Sequence, residues 1–152
     1  MYSYLPHTIA VLAAENEAAG RTFYTHLHDK AVHEHEKTIF EFLATQEEFH
    51  EQFFRQLSLS MMVDEHTVEC DVDLEENLRN SIWQLQQFMV SQEQESDLQA
   101  ALTIGIHTEQ LSIDIYTKIL EHIPSKDVPV MQTIIEEEKK HLAKLISLQT
   151  TA

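Results

Sequence analysis

The chain has 152 residues and a formal net charge of −16, long enough for one domain with a real core and too short to expect two. That charge, with no stretch in which Lys and Arg concentrate, argues against nucleic acid and anionic membrane surfaces as partners. Two Gly and three Pro leave little turn punctuation for a sheet protein, so the expected class is all-α, a few long helices.

The early apolar run at residues 9–14 is far below the roughly 20 residues of a membrane span, and no Lys or Arg precedes it as in a signal peptide. A cytoplasmic protein is expected. The spacing predicts a first helix over about residues 5–27, with Ala10, Ala13, Ala14, Glu17, Gly20 and Tyr24 on one face. Small residues there let another helix come close. Glu17 is the only acid in that row, while Glu15 and Arg21 turn to solvent. His26, His28, Asp29, Lys30 and the run at 33–36 read as a polar corner, and His33 and His35 fit a solvated corner better than a surface metal site.

A second helix is expected over about 34–59. Glu47 and His50, three residues apart, share its face with Phe40, Leu43, Ala44, Phe54 and Leu57. A carboxylate and an imidazole aimed at an apolar interior each cost several kcal/mol unless something compensates them. With a corner near residue 32, Glu17 and Glu47 lie about fifteen residues to either side of it, at one level of an antiparallel hairpin.

Residues 60–73 lose the period and read as a connector holding the lone Cys70, an inert thiol with no partner for a disulfide or a Cys-x-x-Cys site in these residues. Leu74, Leu78, Ile82, Leu85 and Phe88 mark a helix over about 74–91, with Trp83 and Met89 beside the stripe and neither acid nor His on it. It reads as packing. After a polar stretch, Ser96 or Asp97 is expected to cap a helix over about 98–123, whose buried side carries Leu102, Ile106, Glu109, Ile113, Tyr116 and Leu120. Pro124 ends it, and Pro129 opens a last helix to about residue 148. There Glu138 and His141 repeat the Glu-x-x-His spacing among Met131, Ile134, Ile135, Leu142 and Leu145.

The halves are copies of one hairpin. An offset of 92 aligns Glu17 with Glu109 and Tyr24 with Tyr116, and an offset of 91 aligns Glu47 with Glu138 and His50 with His141. Four carboxylates and two imidazoles, as one Glu from each of two helices and Glu-x-x-His from each of the others, form the inward set of di-iron and di-manganese carboxylate bundles. Two divalent ions neutralise four carboxylates, whereas one would leave buried negative charge. Mixed oxygen and nitrogen donors suit iron or manganese, and the lack of thiolates argues against structural zinc. Glu47 and Glu138 are the candidates to bridge two metals, His50 and His141 to take one each, and Glu17 and Glu109 to be terminal ligands. Tyr24 and Tyr116, two turns from Glu17 and Glu109, either hydrogen-bond the ligands or pack as amphipathic core residues.

On these residues the chain resembles the ferritin-like superfamily and, within it, the rubrerythrin-like domains over nearly its whole length. The resemblance implies a four-helix bundle, here with an additional helix between the hairpins, around a non-haem di-iron centre that reacts with peroxide or dioxygen, often in a dimer. Rubrerythrins proper carry a rubredoxin domain with Cys-ligated iron; Cys70 alone does not supply one, so electrons would come from a separate protein such as a rubredoxin. They also place a carboxylate one turn after the third-helix Glu, where this chain has Ser112. The symmetric six-ligand set looks closer to bacterioferritin. The function expected is an oxidoreductase reducing peroxide or dioxygen at two Fe ions, with Mn in place of Fe as the alternative and Zn as a substitute in a purified sample. A ferroxidase or iron-storage protein and a non-enzymatic metal-binding bundle are the alternatives.

Overall fold

The apolar periodicity is realised as helices almost from end to end. The computed structural model describes residues 1–91 and 98–151, so the cap expected at Ser96 or Asp97 lies outside the described residues. In chain order the elements are β1 (Tyr2–Tyr4), α1 (Pro6–Lys30), α2 (Glu34–Ser60), β2 (Val68–Cys70), α3 (Leu74–Ser91), α4 (Leu98–Ile119) and α5 (Val128–Thr151). Single 3₁₀ turns at Leu120–His122 and Ser125–Asp127 join α4 to α5. The result is an all-α bundle with α3 as the additional helix between two hairpins.

Several boundaries differ from expectation for local reasons. Pro6 suits the first turn of α1, where its missing N–H is no loss. With no Gly or Pro to stop it, α1 runs on through His26, His28, Asp29 and Lys30, and the corner narrows to residues 31–33. There Ala31 turns extended while its N–H donates to the carbonyls of Leu27 and His28. Helix α4 stops four residues short of the expected 123. Pro124 holds Ile123 in extended backbone, so the last turn tightens to 3₁₀.

The connector is not featureless. Tyr2, Ser3 and Tyr4 pair antiparallel with Cys70, Glu69 and Val68, and Tyr4 is buried in the core. Asp73 then starts α3, its side chain accepting the Glu76 N–H at 3.1 Å. Within α3, Leu74, Leu78, Leu85 and Phe88 are buried as expected, but Trp83, one position round from Ile82, is 60% exposed and lies outside the core.

Helix α1 packs on α2 and α3, and α4 packs on α5. The core divides into two apolar clusters. One gathers Ile9, Ala13, Phe54, Leu57, Leu78, Ile119, Met131 and Ile134; the other gathers Phe23, Leu27, Phe40, Leu43, Leu85, Leu102, Leu145 and Leu148. On α1, α2, α4 and α5 alike, the residues between these two sets are the expected polar ones. The fold therefore sandwiches a polar layer between two dry ends.

Candidate metal centre

Into that layer α1 sends Glu17, α2 sends Glu47 and His50, α4 sends Glu109, and α5 sends Glu138 and His141, and none is more than 4% exposed. Glu17, Glu47, His50 and Glu138 bring one donor atom each within 4.8 Å of one another, and so do Glu47, Glu109, Glu138 and His141. All six expected residues converge, and Glu47 and Glu138 belong to both quartets. His50 Nδ1 stands 2.6 Å from Glu138 Oε1 and 3.6 Å from Glu17 Oε2. His141 Nδ1 stands 3.3 Å from Glu47 and 3.8 Å from both Glu109 and Glu138. The imidazoles lie nearly parallel, 5.7 Å apart between centroids, with the edge of Phe42 against His141.

The layer has room because Gly20 supplies none of its own bulk. A Cβ at Gly20 would stand 2.9 Å from Glu47 Oε2. The small residue expected to admit a neighbouring helix admits a carboxylate.

Polar atoms this deep are normally paired. Yet Glu17 Oε2, Glu47 Oε1, His50 Nδ1, Glu109 Oε2, Glu138 Oε1 and His141 Nδ1 are all buried without a hydrogen-bond partner. Each of the six residues thus presents to one small volume a donor atom that no hydrogen bond occupies, His50 Nδ1 and Glu138 Oε1 meeting as an ion-pair contact at 2.6 Å. Oxygen and nitrogen donors gathered at mutual distances below 5 Å fit divalent cations.

Without cations the cluster must hold protons. Burial, reinforced by the charges of Glu138, Glu17 and Glu109, lifts Glu47 well above the usual carboxylate range; burial with the charges of Glu109 and Glu17 does the same to Glu138. Burial pushes Glu109 up too, but Glu138, His141 and the Tyr24 hydroxyl beside it outweigh that and bring it down to about 2. Burial pulls His50 down, and Glu17, Glu137 and Glu109 together more than reverse it.

The tyrosines resolve the open alternative, being both buried and bonded. Tyr24 O–H donates to Glu109 Oε1 at 2.6 Å and Tyr116 O–H to Glu17 Oε1 at 2.8 Å, so each reaches across to the other hairpin's carboxylate. Burial above all, then the facing carboxylates, raises both phenols well above their ordinary value and keeps the donor protons in place.

Sequence reading missed a polar link behind this layer. Buried Asn16 donates to Ser112 Oγ at 3.0 Å and to Tyr116 at 3.3 Å, and its Oδ1 accepts from Ser81 Oγ at 2.7 Å. Helix α3, read as packing alone, thereby fixes a residue adjacent to Glu17. Ser112, standing where rubrerythrins carry a further carboxylate, is occupied in this link and donates to the Thr108 carbonyl. Also missed were Gln46 and Glu137, which stand beside the outer nitrogens of His141 and His50. The 91-residue offset aligns that pair too, but as unlike residues, so repetition does not mark them. His33 and His35 stay exposed at the corner.

A helical bundle with a carboxylate and histidine layer at mid-depth defines a metal-binding protein of the ferritin-like class. A model of the rubrerythrin family matches residues 9–149. The chain belongs to the rubrerythrin family. Among solved structures it is similar to a candidate ferritin-like diiron-carboxylate protein of Thermotoga maritima, at 26% identity over 99% of this chain and 97% of that one, with a TM-score of 0.76. It shares its fold with a hypothetical protein of Pyrococcus furiosus, at 18% identity over 97% and 89% of the two chains and a TM-score of 0.68. No curated protein matches. Among the described residues no helix is long and apolar enough to cross a membrane.

Proposed function

We propose that the chain is a non-haem di-iron oxidoreductase that reduces hydrogen peroxide, or dioxygen, with electrons from a separate electron-transfer protein such as a rubredoxin. One observation carries the reading: six buried residues, each with a bare donor atom, form two quartets that share Glu47 and Glu138. In this reading Glu47 and Glu138, which belong to both quartets, would be shared between two metal positions, with Glu17 and His50 completing one and Glu109 and His141 completing the other. The chemistry a reduced iron pair supplies is two electrons, which with two protons convert peroxide to two waters. The chain's part is to orient and to exclude water. Tyr24 and Tyr116 hold Glu109 and Glu17 by one carboxylate oxygen and leave the other, Glu109 Oε2 and Glu17 Oε2, free to ligate. Glu47 and Glu138 would hold metal in their deprotonated forms.

Metal-free protein reloaded anaerobically with ferrous ion, then mixed rapidly with peroxide or with dioxygen, tests this. The expected result is oxidation of two iron equivalents per chain, much faster than free ferrous ion under the same conditions. A rate equal to that of free ferrous ion would overturn it. Iron oxidation for storage or transfer is the second reading, favoured by a net charge of −16 that draws cations to the surface. A homodimer of fixed metal content supports the oxidoreductase; a hollow shell with an iron core supports storage.

A further inference from the structure

The six candidate ligands and the two tyrosines match between the halves, but the residues that precede the Glu-x-x-His glutamates on the rim do not. Gln46 precedes Glu47 and Glu137 precedes Glu138, at the same 91-residue offset that aligns the ligands themselves. Each reaches across to the opposite helix. Gln46 Oε1 lies 3.4 Å from His141 Nε2, and Glu137 Oε1 lies 3.6 Å from His50 Nε2. In both imidazoles Nδ1 faces the carboxylate layer, so Nε2 is the outer nitrogen. The outer contact of one histidine is a neutral amide and that of the other is a carboxylate, although the ligands themselves repeat.

The difference bears on ligand strength. A ligating imidazole donates more to a cation when its other N–H meets a carboxylate, which polarises the ring toward the metal, than when it meets an amide carbonyl. Glu137 also adds negative charge beside the quartet of Glu17 and His50 and has no counterpart beside the quartet of Glu109 and His141. His50 is 2% exposed and its Nε2 has no hydrogen bond, so that nitrogen is waiting for an acceptor. Glu137, whose side chain is 28% exposed, needs to shift only about half an ångström to provide it.

We propose that Glu137 makes the two metal positions unequal, so that the position built on Glu17 and His50 takes the first divalent cation and the one built on Glu109 and His141 takes the second. The inference rests on the metal reading above and goes beyond it by assigning Glu137 as a positioning residue and an order of filling.

Calorimetric titration of the metal-free full chain with Mn²⁺, and with Co²⁺ followed by its visible absorption, tests the order without recourse to activity. The native protein is expected to bind two equivalents in two resolved steps. Glu137→Gln, isosteric and on the rim, should weaken the tighter step by about 10- to 100-fold and leave the weaker one in place. Gln46→Glu should tighten the weaker step by a comparable factor. Glu17→Gln should strike the tighter step and Glu109→Gln the weaker one, which assigns each step to its position. Unchanged melting of the metal-free rim variants would show that affinity, and not folding, has moved. Two indistinguishable steps in the native protein, or equal weakening of both steps by Glu137→Gln, would overturn the inference while leaving the metal reading intact. No binding of either cation by the native protein would overturn both.

Discussion

Glu47 is the residue on which the centre turns, because it belongs to both quartets and occupies space that exists only while Gly20 lacks a side chain. Gly20→Ala therefore separates stability from function. Alanine is the better helix former, by up to about 1 kcal/mol, and the atom it meets is the mobile end of a side chain. The helix should be as stable as before or more so, while the displaced carboxylate lowers metal affinity at both positions. Thermal melting of the metal-free protein beside a metal titration checks this; unchanged affinity would mean that Glu47 has another place to sit. At this scale the six candidate ligands were legible in the sequence because each is a charged or titratable residue on an apolar face and each has a copy in the other half. Asn16 was not. Its equivalent by the repeat is Thr108, and its partner Ser81 is 65 residues away, so neither periodicity nor repetition marks it.

Among the elements, α3 is the one whose role the sequence understated. Its stripe of Leu74, Leu78, Leu85 and Phe88 announces a buried face, which is correct, but fully buried Ser81 ties it to the layer beside Glu17 through Asn16. Ser81→Ala leaves Asn16 Oδ1 buried without its donor and is expected to cost about 1–3 kcal/mol, measurable by urea unfolding of the metal-free protein. A cost near zero would show that Asn16 turns to another donor. The hairpin elements were readable because long amphipathic helices carry many turns of signal. The strands Tyr2–Tyr4 and Val68–Cys70 were not, since three residues hold too little alternation and their partner lies far along the chain. The end of α4 was misread for a related reason. Pro124 announces a stop, but the apolar spacing through Leu120 and Ile123 does not say that the final turn narrows to 3₁₀.

For the whole molecule, the buried layer couples folding to both pH and metal. Glu47 and Glu138 have folded-state pKa values above the unfolded ones, so the folded protein binds more protons at these two groups. Their contribution to stability is complete below the unfolded carboxylate pKa, about 4.5, and is lost as pH rises through the folded values. His50, raised from 6.5, adds to the same loss on the alkaline side. Glu109, lowered to about 2, acts oppositely, its contribution present above 4.5 and lost as pH falls toward about 2. The metal-free protein should therefore melt at a higher temperature near pH 5 than near pH 8. Divalent cations would take the place of those protons, so the metal-bound form is expected to show no such decline, and the rise in melting temperature on loading should grow as pH increases. Melting curves with Mn²⁺ and with chelator across that range measure both slopes. Parallel slopes would mean that the charge of the empty layer is relieved by something other than protons, and the six bare donor atoms would then need a different occupant.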